Sequence, residues 1–267
     1  MAISDTLLVV GGRWAEGRTA GYVHGQSKKE WSQLNNNPDS CRHLHWGELL
    51  GIKHNLHVDY IAESDQTNEE AFLRVTEYLQ RPHNLVGVIW EVQPIYLKRI
   101  YSSKTDFRKS CSPYFPEHIK DHIRSHKIDF DYYFDNYIDP AWERTCLQMA
   151  IAHWDEYFKL KGIPNYWFDS LYDCIHPCPR GIRKCLLQEL TWVCSTDYEL
   201  NGDWHLCYRD RKDYPQLDHA VTVGLVDPFF HSPTKEGNRR IALIMEHVYK
   251  DIFHNPYNYI SYPHLRA

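Results

Sequence analysis

No apolar run in the chain approaches the ~20 residues that cross a bilayer, and no charged-then-apolar stretch of signal type stands near its start. Both absences lead us to expect a protein that binds no membrane and stays in the cytoplasm of the cell that makes it. Positive charge is not in surplus. Lys and Arg total 30 against 35 Asp and Glu, a formal net charge of −5, so a nucleic-acid partner is not expected either. The phosphate-cradling patterns G-x-x-x-x-G-K-[ST] and G-x-G-x-x-G are both missing, and no nucleotide or other cofactor is expected. Gly11, Gly12 and Gly17 therefore read as a tight strand-to-loop turn. Internal repeats, low-complexity tracts and linker-like stretches are missing as well, which favours one domain over residues 1–267.

Metal ligands are not arranged as structural zinc sites require. Of Cys174, Cys178, Cys185 and Cys194, with His176 and His205 nearby, only the first pair has the spacing of a zinc knuckle, and no second pair answers it. We expect reduced thiols there and no metal. His43, His45, His54 and His57 have no carboxylate at a ligand-like spacing and read as a polar surface run.

Strands and helices alternate along the chain. Apolar runs at 6–10, 57–62, 84–90 and 163–168 predict strands, and the unbroken run "NLVGVIW" has the character of a strand buried on both faces. Ser27 with Glu30 and Thr67 with Glu70 are capping boxes, and the second opens a helix over 68–80. Asp139 and Pro140 start a long helix whose apolar stripe is Leu147, Ala150, Ile151, Trp154 and Phe158, stopped by Gly162. Ser232 and Pro233 suit the start of a last helix that buries Ile241, Ile244, Met245, Val248 and Ile252. Residues 98–135 show weak periodicity and predict a helical excursion. Residues 174–207 show little periodicity beyond a short helix near Leu186. This order implies an α/β fold with a mainly parallel central sheet and helices on both sides, with insertions near 98–135 and 174–220.

Four stretches in this order resemble the SGNH (GDSL-type) hydrolases, particularly the divergent forms encoded by tailed phages. They are "VVGGRWAEG" (9–17), "YIAESDQTNEEAF" (60–72), "LVGVIWEVQP" (85–94) and "DPFFHSPTKEGNRRIA" (227–242). The resemblance implies a flavodoxin-like three-layer sandwich and an ester hydrolase. Its chemistry would need a serine nucleophile in the first stretch, activated by a histidine in the last that an aspartate orients. A glycine N–H and an asparagine side chain would complete the oxyanion hole.

Carried onto this chain, most of that machinery is missing. The Asp-Ser pair of the first stretch falls on Gly12 and Arg13, and a guanidinium that stays protonated is no nucleophile. The oxyanion glycine falls near Glu63 or Ser64, and the asparagine falls near Glu91. Asp227 and His231 remain, separated by three residues where the family has two. Ser64 could serve as a displaced nucleophile, but Glu63 and Asp65 beside it would oppose an oxyanion, so it reads as a loop residue before a helix. Arg13, placed where the nucleophile would stand, is expected to seek Asp227 or Glu91 as its counter-ion. The leading expectation is an SGNH-like protein that has lost hydrolysis and acts by binding or as a structural component. Its partner would be a small molecule, a protein, a second copy of the chain or a virion. The alternative is an active esterase on an ester or acylated sugar that uses His231 in a rearranged site.

Overall fold

The computed structural model describes residues 4–64, 66–95, 97–102, 107–111, 117–126, 128–170, 221–222, 224–228, 232–248 and 252. The short helix expected near Leu186, His231 and the Cys174–Cys207 stretch lie outside the described residues.

Four strands build the central sheet: β1 (Thr6–Gly11), β2 (His57–Ala62), β3 (Leu85–Val92) and β4 (Asn165–Asp169). They are parallel and lie in the order β2-β1-β3-β4, so the chain is an α/β protein with the four expected strands in one sheet. β1 has neighbours on both sides and every one of its residues is buried, as an unbroken apolar run requires.

Alternation along β1 sends Leu7 and Val9 to one face and Leu8 and Val10 to the other. On the first face they meet Trp46 and Leu50 of α3 (Trp46–His54), together with Ile241 and Met245 of α8 (Lys235–Val248). On the second face they meet Ala71 and Val75 of α4 (Asn68–Leu79) and Leu147, Ile151, Trp154 and Phe158 of α7 (Pro140–Leu160). Each fully buried aliphatic side chain contributes about 1.5–3 kcal/mol, so these two clusters supply the main driving force of the fold. In the second cluster Trp90 and Trp167 stack with ring centres 4.7 Å apart. Their indole nitrogens are satisfied: Trp90 donates to Asn165 Oδ1 (2.5 Å), and Asn165 and Trp167 both donate to Asp155 Oδ1 (2.6 and 2.7 Å).

Local signals set most helix ends. Both capping boxes form, Ser27–Glu30 at α2 (Lys28–Asn36) and Thr67–Glu70 at α4. Asp139 accepts from the backbone of Ala141 at the head of α7, and Gly162, at φ 69°, turns the chain after its end. The last helix begins later than its sequence suggests. Thr234, and not Ser232, caps α8, because its hydroxyl accepts from Gly237 N (3.1 Å) while donating to Gly224 O (2.6 Å).

Residues 98–135 differ from the expected helical excursion. They include an antiparallel hairpin of β5 (Lys98–Ser102) and β6 (Phe107–Cys111), followed by α5 (Glu117–Ser125) and α6 (Phe130–Tyr137). Charge and local packing hold this region. Lys98 bridges Glu69 of α4 and Glu143 of α7, Arg99 pairs with Glu70, and Ile100, Ile123, Phe130 and Phe134 form a small core of their own. Among the described residues no helix is long and apolar enough to cross a membrane.

Candidate functional site

The turn after β1 gathers the ends of three strands and the segment before α8. Gly11 takes φ +139°, and a Cβ there would lie 2.5 Å from that of Glu91, so only glycine lets β1 and β3 close this tightly at their ends. Gly12 then opens the four-residue helix α1 (Arg13–Glu16). The Glu91 carboxylate, at the end of β3, reaches across and accepts from Gly12 N (3.0 Å) and Ala15 N (2.8 Å). Burial pushes the Glu91 pKa up, and donors from Ala15, Ser170, Gln93 and Gly12 only partly hold it down.

The turn after the second strand contributes Ser64, whose hydroxyl donates to Glu16, the last residue of α1. Glu16 is buried and also receives Arg18 at 2.6 Å. Glu63, beside Ser64, donates its N–H to Gly11 O (3.1 Å) and turns its side chain outward to Arg74. From the far end of the chain comes Asp227, fully buried. It accepts from Ser232 N at 2.8 Å and from the Thr19 hydroxyl at 3.5 Å. Asp227 N returns the bond to Ser232 O (2.9 Å), and a bridge between Val226 and Pro233 closes this small loop.

Four residues singled out from the sequence, Gly12, Ser64, Glu91 and Asp227, thus converge on residues 11–20. Arg13 heads α1 half-buried among them. Glu91 takes up the backbone of the β1 turn, a role that its expected pairing with Arg13 did not foresee. All lie at the C-terminal edge of the parallel sheet, where open α/β sheets carry their ligands.

A second layer locks the turn from behind. Trp14 O accepts from both His45 Nε2 and Trp46 Nε1 (2.9 Å each). His45 Nδ1 accepts from Gly47 N and meets the Tyr60 hydroxyl at 3.0 Å, which makes Nε2 the protonated nitrogen. His45 is completely buried, and burial drives its pKa down to about 3, so the ring is neutral. This corrects the expectation that His45 belongs to a polar surface run; it caps α3 from inside, while His43 and His57 are exposed. Asn238, buried in α8, accepts from Trp46 N and donates to the carbonyls of Pro233 and Thr234.

Glu16, Thr19, His45, Gln93 and Asn238 complete the arrangement. Asn238 carried a signal, because it lies at helical spacing with Ile241 and Met245, a polar residue on an otherwise apolar face. Thr19 and Glu16 carried none, since Asp227 and Ser64, which bring them into the site, are remote in the chain. The Gly12 and Ala15 amides of the turn are used by Glu91, and its acids by hydroxyls, amides and Arg18. Among the described residues no group of three or more His, Cys, Asp or Glu side chains is placed to hold a metal ion. Among the described residues Cys41 and Cys146 form no disulfide. The chain matches no protein-family model and no curated protein sequence.

Proposed function

We propose that this protein is a divergent SGNH-type three-layer α/β sandwich, akin to phage-encoded members, that has given up ester hydrolysis and serves as a binding or structural protein. One observation carries the reading: Glu91 accepts the amides of Gly12 and Ala15. Those N–H groups head the short helix after β1, where an acyl-transfer enzyme of this fold would stabilise a developing oxyanion. Here the Glu91 carboxyl already occupies both N–H groups, so neither is left to receive an oxyanion. Arg13 at the nucleophile's position supports the same reading, since it cannot attack a carbonyl.

The test is turnover of short p-nitrophenyl esters by the wild-type chain and by His231→Ala. We expect no turnover above the buffer rate in either. Turnover that disappears in His231→Ala would overturn the proposal and establish an esterase with a rearranged site.

A further inference from the structure

The strongest chemistry outside the β1 turn lies at the C-terminal end of α5, with His122 in its last turn and His126 in the turn that follows, where His126 N donates to Ile123 O (3.0 Å). His122 and His126 are one helical turn apart, and their rings meet edge to face with centres 5.0 Å apart. Zinc–nitrogen bonds of about 2.0–2.1 Å put the ion ~3.2 Å from each ring centre, so two imidazoles on one tetrahedral zinc have centres roughly 5 Å apart. The two rings are already at that separation.

The surroundings allow it. His122 is exposed and His126 half-buried, so waters can complete the shell, while the buried Ile123 between them fixes the helix to its small core. Two cations lie on the same helix. Arg124 is offset by Asp121 (2.8 Å) and Asp131 (2.9 Å), and Lys120 is held over the Phe130 ring.

We propose that His122 and His126 form a two-ligand surface site for a divalent transition-metal ion of the zinc class, with water in the remaining positions. Imidazole nitrogen suits zinc, copper and nickel and is a poor ligand for magnesium or calcium. Binding requires neutral rings, so protons compete with the metal and affinity is lower in acid. The proposal is independent of the reading of the β1 turn.

Equilibrium dialysis of the intact chain against micromolar zinc at pH 7.5 tests it, with His122→Gln and His126→Gln alongside. Each variant should bind one equivalent less than wild type while keeping the wild-type melting temperature in metal-free buffer. The zinc affinity of that site should also fall when the pH is lowered to 5.5. Unchanged zinc stoichiometry in both variants would overturn the proposal, whatever the histidines and cysteines elsewhere bind. So would a zinc affinity of that site that does not fall between pH 7.5 and 5.5.

Discussion

Glu91 Oε2 lies 3.0 Å from the amide nitrogen of Gly12, so the end of β3 holds the end of β1 through a carboxylate and not through the sheet ladder. Replacing Glu91 by Ala leaves the amides of Gly12 and Ala15 buried without acceptors. That change should cost about 2–6 kcal/mol in urea denaturation, since each of the two buried orphan donors costs about 1–3 kcal/mol. Glu91→Gln keeps an oxygen for the amides and removes a charge that burial disfavours, so its loss should be smaller.

The sign of the pH effect follows from the raised pKa. Folded Glu91 holds its proton more tightly than the unfolded chain does. The wild-type advantage over Glu91→Gln is therefore greatest in acid and declines as pH rises from about 4.5 through the folded pKa. An advantage that grows over that range would contradict the assignment of burial as the dominant influence.

His45 acts in the opposite sense. Its folded pKa of about 3 lies below the ordinary 6.5, so the neutral ring contributes fully above pH 6.5 and that contribution is lost as pH falls toward 3. The slope from this residue alone is roughly 1.4 kcal/mol per pH unit. His45→Asn keeps a good N-cap for α3 but forfeits the bond to Trp14 O. It should be less stable than wild type at pH 7, and the two stabilities should converge near pH 4. Parallel curves would show that His45 is not the group being charged.

The sheet was readable because its information is local: apolar runs in β1 and β3, and capping boxes whose two members are three residues apart. The β5–β6 hairpin was not, because Lys98 and Arg99 owe their places to Glu69, Glu70 and Glu143 on two other elements. The same division applies to the candidate site. Gly12, Arg13, Ser64, Glu91 and Asp227 were found by comparing the chain with a known motif order. The use of Glu91 as an acceptor for the turn's own amides, and the burial of His45, depend on contacts between remote residues.

Lys98 supplies a test of that hairpin. Its ammonium is largely shielded and serves two carboxylates, so Lys98→Met strands Glu69 and Glu143 beside each other without their shared cation. A partly buried pair that loses one member should cost about 1–3 kcal/mol. Amide hydrogen exchange should quicken in 98–102 and at the start of α7 while β1 and β3 stay protected. Uniform exchange across the chain would mean that the hairpin is not held as a separate unit.

The bonds Thr19–Asp227 and Trp46–Asn238 join residues separated by 208 and 192 positions. On a ribosome adding ~5–20 residues per second, the early partners wait roughly 10–40 s for the late ones to emerge. Throughout that interval Trp14, Trp46 and the inner face of β1 lack the helix that later covers them. The newborn chain thus carries a transient sticky surface of its own making, and slowing translation between codons 60 and 220 should lower the yield of folded protein.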